Sequence, residues 1–117
     1  MKTQVIYFDN IKKEITYLIG ENAADNFLVI DASDFKTDMW FHSKEGSSCH
    51  VIAKIPGQLT KKELMTICKK GGLLCKLNTP KLKKHSNVEI IYTKTCNITK
   101  TNTDGLVHTT NTKTLTC

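Results

Sequence analysis

The stretch Asp38-Met39-Trp40-Phe41-His42 combines an acid, the only tryptophan of the chain and a histidine in five residues of strand-like sequence. Successive side chains of a β-strand point to opposite faces of its sheet. Asp38, Trp40 and His42 therefore share one face, and the apolar Met39 and Phe41 share the other. We interpret the first face as a surface that contacts a ligand and the second as part of a hydrophobic core.

A second strand is predicted at Cys49–Ile55, after a five-residue loop that is ordinary for a β-hairpin. The register of this hairpin decides whether the two histidines meet. Pairing in the simplest register places His42 opposite His50 and Trp40 opposite Ile52, whereas a shift by one residue separates the histidines.

Two helices are predicted beside these strands. The first covers roughly residues 26–33, and either Asn22 or Asn26 can cap it, because a short side-chain oxygen accepts from the free N–H groups of the first turn. The second begins at Thr60, where Thr60 and Glu63 form a capping box. The pair at 71–72 predicts either the end of this helix or tight packing, since glycine weakens a helix. Residues at helical spacing mark its buried face: Leu64, Ile67, Cys68, Gly71 and Cys75.

The remaining pattern predicts strands at 4–8, 14–19 and 88–92 and two or three short threonine-rich strands after residue 92. We therefore expect a single α+β domain over residues 1–117, with a mainly antiparallel mixed sheet of about six to eight strands and two helices. A chain of 117 residues can build one core without metal or disulfide support.

Cysteine usage and hydropathy favour a cytoplasmic protein without a structural metal. No apolar run approaches the roughly 18 residues of a membrane span, and the first residues lead into a strand pattern rather than a signal peptide. We expect reduced thiols and no membrane partner. The cysteines are scattered, and no pair has C-x-x-C spacing: Cys49, Cys68, Cys75, Cys96 and Cys117.

The formal net charge of +6 is unevenly distributed, because residues 1–50 hold five lysines and eight acids and residues 51–117 hold twelve lysines and three acids. Every basic residue is lysine, which offers a point charge to phosphate rather than the planar fork of arginine that reads bases. Such a positive segment indicates a polyanionic partner, although a solvated lysine face remains the simpler alternative. The candidate nucleic-acid site consists of two groups of residues: Trp40, His42 and His50, with Lys61, Lys62, Lys69, Lys70, Lys76, Lys81, Lys83 and Lys84.

Several segments, in this order, resemble the RNA-binding domain of the NFACT family of ribosome-quality-control and fibronectin-binding-like proteins. The resemblance runs from about residue 4 to the C-terminus, and its specific part is Asp-x-Trp-x-His with the later His-Val pair. Where the family usually has Pro-Gly-Ser, residues 47–49 are Ser-Ser-Cys, which is closer to the short eukaryotic members. The matching residues are Gly20, Asn22, Asn26, Asp38, Trp40, His42, His50, Tyr92 and Gly105.

The resemblance implies a non-catalytic module that binds structured RNA, tRNA or rRNA, in ribosome quality control or translation, with the ribosome as a further partner. DNA is the alternative nucleic acid. The competing function is a protein-interaction adaptor that docks on ribosomes or translation complexes without binding RNA directly.

Enzymatic and metal functions are less favoured by the residues. Asp38, His42 and His50 could hold a divalent metal, but no Gly-rich phosphate loop or nucleophile elbow is present. We expect no cofactor, no metal and no small-molecule substrate. One alternative for the motif stays open, in which Trp40 is a core aromatic and the histidines satisfy buried backbone groups.

Overall fold

A six-stranded antiparallel sheet forms the centre of the fold in the computed structural model, which describes residues 1–117. The strands in chain order are β1 (Lys2–Phe8), β2 (Lys13–Ile19), β3 (Met39–Ser43), β4 (Val51–Ala53), β5 (Glu89–Lys94), β6 (Ile98–Lys100), β7 (Val107–Thr109) and β8 (Lys113–Thr116). The order across the large sheet is β1-β2-β4-β3-β5-β8, and β6 and β7 form a separate hairpin. The predicted α+β class, with two helices and six to eight strands, is confirmed.

Two helices, α1 (Ala23–Asp31) and α2 (Lys61–Leu77), accompany the sheet, and a short 3₁₀ turn covers Thr95–Asn97. Helix α1 begins three residues earlier than predicted, because Asn22 is the cap and its side-chain oxygen accepts from the Asp25 N–H at 2.8 Å. The capping box at the start of α2 is confirmed. Neither helix has the length and apolar character that crossing a membrane requires.

The β3–β4 hairpin has the predicted register, with Trp40 paired to Ile52. Strand β4 is shorter than the predicted Cys49–Ile55, because the backbone at both of its ends binds side chains instead of a neighbouring strand. The Cys49 N–H donates to the Thr79 hydroxyl at 3.1 Å. At the other end, the Ile55 N–H donates to the Asp38 carboxylate at 3.0 Å.

Side-chain alternation on β3 divides the interior into two cores. Met39 and Phe41 lie on the α2 side, in a cluster of 15 buried residues. Trp40 lies on the α1 side, where it packs in a smaller cluster with residues of β2, β4 and α1. The two helices therefore cover opposite faces of the sheet. Trp40 is 1% exposed, so the prediction that it belongs to a contact surface is wrong, and it is a core aromatic.

Gly71 and Gly72 lie inside α2 and allow the helix to approach the sheet closely. A Cβ atom at Gly71 would lie 2.5 Å from Cζ of Phe41, and one at Gly72 would lie 2.5 Å from Cδ1 of Leu115. The helix continues to Leu77. Of the two predicted alternatives, the structure shows tight packing rather than the end of the helix.

We expect Gly71→Val to destabilise the fold by about 1–3 kcal/mol, because the added atoms overlap the buried Phe41 ring. Urea unfolding followed by circular dichroism measures the effect. Gly57→Val is the matched control, since no atom lies within 4 Å of a Cβ placed there. Equal unfolding midpoints for the two variants would contradict the proposed close packing.

Trp40→Ala should destabilise the protein by about 3–5 kcal/mol, because it removes the largest side chain of the α1-side core. The same urea titration, read by far-ultraviolet circular dichroism, tests this. A folded variant with the parental midpoint would contradict the assignment of Trp40 to the core.

Candidate nucleic-acid interface

Helix α2 presents a row of lysines on the side away from the sheet. Lys62, Lys69 and Lys76 recur every seven residues, which places them on one side of a helix of 3.6 residues per turn. At 1.5 Å per residue, this row extends over about 21 Å. The loop after α2 adds Lys81, Lys83 and Lys84, all exposed. We use the name basic face for the eight predicted lysines of α2 and of this loop, between residues 61 and 84.

The eight predicted lysines of the basic face are free of acidic partners. The ion pairs of the structure involve Lys44, Lys54, Lys100 and the N-terminal amine, and none involves residues 61–84. Lys76 donates to the main-chain oxygen of Cys117 at 3.3 Å and Lys81 to a serine hydroxyl at 3.0 Å. The other six lysines make no side-chain hydrogen bond or ion pair, so their charge is available to an external anion.

Acidic residues gather on the opposite side of the molecule. Asp25 and Asp31 belong to α1, and Glu21 and Asp34 lie directly before and after it. Three of these acids are already paired, Glu21 and Asp25 with the N-terminal amine at 3.7 and 2.5 Å and Asp31 with Lys100. The sheet thus separates a basic side from an acidic one.

Trp40 and His50 form a buried hydrogen-bonded pair beneath α1. The Trp40 indole N–H donates to Nδ1 of His50 at 3.1 Å, and the His50 backbone N–H donates to the Asn26 side-chain oxygen at 3.0 Å. Gly20 lies against this oxygen, since a Cβ at Gly20 would be only 2.0 Å from it. Four residues of the family motif therefore build the interior.

His50 is neutral and has no route to a ligand. It is fully buried, and burial, followed by the proximity of His42, lowers its pKa to about 3. Because Nδ1 accepts from Trp40, the neutral ring carries its proton on Nε2. This buried N–H group has no hydrogen-bond partner, although the nearby Gly105 backbone partly offsets the lowering of the pKa. The prediction of direct contact through Trp40 and His50 is therefore corrected: both are structural.

His42 is the motif residue that reaches the surface. Its ring stacks on Trp40, with 5.5 Å between centroids and 4° between planes, and lies 4.9 Å from the His50 ring. Nδ1 of His42 is 2.7 Å from the Ser43 carbonyl. Burial lowers the pKa of His42, and the Lys81 charge lowers it further. The buried Trp40 thus holds a neutral His42 at the protein surface.

Asp38 does not join the histidines in a metal site. Its carboxylate accepts from the backbone N–H groups of Asp34 and Ile55 and pairs with Lys54 at 3.1 Å, at the end of β3 remote from His42. No group of three or more histidine, cysteine or acidic side chains is positioned to hold a metal ion. Asp38 instead ties the start of β3 to the end of β4.

Tyr92 and Gly105, the last two motif residues, have different places. Tyr92 is buried on the α2 side, with its ring 6.0 Å from that of Phe41. Gly105 has a positive φ of 79°, and a Cβ there would lie 3.1 Å from Ala23, so this turn packs on the first residue of α1. Tyr92 is therefore a core residue, and Gly105 shapes the surface beside α1.

A cleft of about 630 Å³ opens between the start of α1, the β3–β4 loop, the end of α2 and the turn at Gly105. Predicted residues that line it are Gly20, Asn22, Asn26, His42, Lys81 and Gly105. Sequence reasoning missed Ser47, Ser48, Asn78 and Thr79 in its wall. The only signal in the sequence for these four residues is their position, since Ser47 and Ser48 follow His42 in the β3–β4 loop and Asn78 and Thr79 follow the last turn of α2.

Thr79 links the basic face to the cleft. Its hydroxyl donates to the Cys75 carbonyl at 2.8 Å and accepts from the Cys49 N–H at 3.1 Å. The same residue therefore closes the end of α2 and anchors the segment that leads into β4.

The five cysteines are free thiols, as expected, and only some behave as core residues. Cys68 and Cys75 are buried, and burial raises the pKa of Cys68 to about 12. Cys49 lines the cleft, where contact with the Cys75 thiol lowers its pKa to about 7. Cys96 is exposed, so the expectation of small core residues does not hold for it.

The structure and the sequence of this chain are similar to those of known proteins. The C-terminal part of the fibronectin/fibrinogen-binding protein from Streptococcus suis has a similar solved structure, with a TM-score of 0.78 and 19% identity. The similarity covers 99% of this chain and 45% of that one, and at this identity it shows the fold alone. No curated protein matches the sequence. The family model described as NFACT protein RNA binding domain matches residues 4–111, and the chain therefore belongs to the NFACT RNA-binding domain family.

Proposed function

We propose that this domain is a non-catalytic module that binds structured RNA, of the tRNA or rRNA class, through lysine–phosphate contacts. The observation that carries the proposal is the basic face, in which eight lysines of residues 61–84 have no acidic partner. Membership of an RNA-binding domain family supports RNA as the partner in general. The proposed setting is the cytoplasmic translation machinery.

Phosphate contact, rather than base recognition, follows from the chemistry of the basic face. Lysine supplies a hydrated point charge, and the chain has no arginine to read guanine edges. A row of about 21 Å is long enough to lie along several successive phosphates of one strand. Binding of this kind has affinity but little sequence preference.

The affinity for a tRNA transcript should fall steeply with salt, because each neutralised phosphate releases counterions. If four lysines contact phosphates, raising the salt from about 50 to 200 mM weakens binding about 50- to 150-fold. Fluorescence anisotropy at several salt concentrations measures the slope. An affinity that is unchanged over this range would contradict the phosphate-contact mechanism.

The triple variant Lys69→Glu, Lys83→Glu and Lys84→Glu should lose tRNA binding by at least about 100-fold, because it replaces attraction by repulsion at three phosphate-facing positions. These three side chains are exposed and make no hydrogen bond, so the fold should be retained. Electrophoretic mobility shift measures binding, and circular dichroism confirms folding.

The matched control changes Lys13, Lys36 and Lys94 to glutamate. It alters the formal charge of +6 by the same amount but lies outside the basic face. We expect the control to bind within about fivefold of the parent, since only distant, screened charges change. Equal losses in the two variants would mean that net charge, and not the basic face, governs binding.

One observation favours the second candidate, a protein-interaction adaptor. Strand β1 lies at an edge of the sheet, and its Val5 and Tyr7 side chains are 51% and 57% exposed. Exposed edge strands are common sites for pairing with another chain. Nuclease treatment of the purified complex separates the candidates, because it removes the partners of an RNA binder and leaves those of an adaptor.

A further inference from the structure

The cleft beside the basic face has the size and polarity of a site for one small polar group. Its volume of about 630 Å³ lies within the range of ligand pockets, roughly 300–1,000 Å³. Three of its 16 lining residues are hydrophobic, so polar, charged and small residues form most of its wall, although carbon atoms make up the larger part of the exposed lining surface. It adjoins the loop that carries Lys81, Lys83 and Lys84, because Pro80 and Lys81 form part of its wall.

His42 presents one fixed hydrogen-bond acceptor to this cleft. Nδ1 of His42 lies 2.7 Å from the Ser43 carbonyl oxygen, which can only accept, so Nδ1 carries the proton. The stacked Trp40 ring fixes the orientation. Nε2 of a neutral ring is then an unprotonated acceptor. Nε2 of His42 has no hydrogen-bond partner within the protein. His50 Nε2 is the only buried side-chain nitrogen or oxygen atom that lacks a partner. Nε2 of His42 is therefore not buried, and His42 lines the cleft.

Lys81 supplies a positive charge to the same cleft. Its side chain is exposed, and its ammonium group donates to the Ser47 hydroxyl at 3.0 Å, which keeps it beside the β3–β4 loop. The wall formed by Glu21 and Asp104 is acidic. A phosphate group is therefore favoured at the Lys81 end of the cleft alone. This preference orients a bound ligand, with its phosphate toward Lys81 and away from Glu21 and Asp104.

We propose that the cleft binds one ribonucleotide unit of the RNA, with its phosphate at the Lys81 ammonium group and its ribose 2′-hydroxyl donating to Nε2 of His42. This inference rests on the proposed RNA-binding function and adds a means of distinguishing RNA from DNA. A deoxyribose has no 2′-hydroxyl, so it leaves the His42 acceptor without that donor. The lysines of the basic face attract either nucleic acid, and His42 provides the preference for RNA.

The test compares oligouridine with oligodeoxyuridine of equal length, which differ only at the 2′ position. Fluorescence anisotropy at one low salt concentration gives the ratio of the two dissociation constants. The parent should prefer the RNA by about 2- to 10-fold, the usual contribution of one hydrogen bond. His42→Phe keeps an aromatic ring on Trp40 but removes the acceptor, and its ratio should fall to about one.

Three further variants separate the roles of the residues. His42→Gln restores a carbonyl acceptor and should recover part of the preference. Lys81→Gln should weaken RNA and DNA binding equally, because it removes a phosphate contact. His85→Phe, at an exposed histidine of the basic loop, is the matched control and should keep the parental ratio.

A parent that binds RNA and DNA equally, or a His42→Phe variant that keeps the parental preference, would overturn the ribose contact while leaving RNA binding intact. A parent that binds neither a tRNA transcript nor oligouridine at low salt would instead contradict the proposed function, and one that binds the tRNA transcript but not oligouridine would overturn the ribonucleotide site alone. The nitrogen chemical shift of His42 Nε2 gives a readout on the unaltered protein, which is independent of whether the variants fold. It should change on addition of oligouridine and not of oligodeoxyuridine, and equal changes would overturn the inference.

Discussion

One buried hydrogen bond, from the His50 backbone N–H to the side-chain oxygen of Asn26, holds α1 against the sheet. A buried amide without a partner costs about 1–3 kcal/mol, so this contact constrains its surroundings. Gly20 must lack a side chain because a Cβ there would collide with the Asn26 oxygen. With α1 in place, Trp40 is covered, and His42 is left at the rim of the cleft. Gly20 and Asn26 of the motif thus position the residues of the candidate site.

Local sequence predicted the features that depend on neighbours a few residues apart. The alternation along β3, the hairpin register and the capping box at Thr60 are of this kind, and all are confirmed. The inward turn of Trp40 was not predictable from its strand, because it depends on the short helix α1 that covers it. The lysines of the basic face could be read from composition. The cleft could not, because four segments far apart in the chain form its walls.

The distribution of charge gives the domain two distinct sides. Helix α2 and its loop carry lysines that pair with no aspartate or glutamate, and the region around α1 carries four acids, three of them already paired with amines. The unpaired lysines make the first side the more attractive one for a polyanion. The cleft lies where the two sides meet, with Lys81 on one wall and Glu21 and Asp104 on the other.

The hydroxyl of Thr79 has a mechanical consequence. It bonds to the last turn of α2 and to the backbone that enters β4, so one hydroxyl group connects the start of the lysine-bearing loop with a wall of the cleft. We expect the start of this loop and the segment that enters β4 to move together, because separating them would break the hydrogen bond from the Cys49 N–H to the Thr79 hydroxyl.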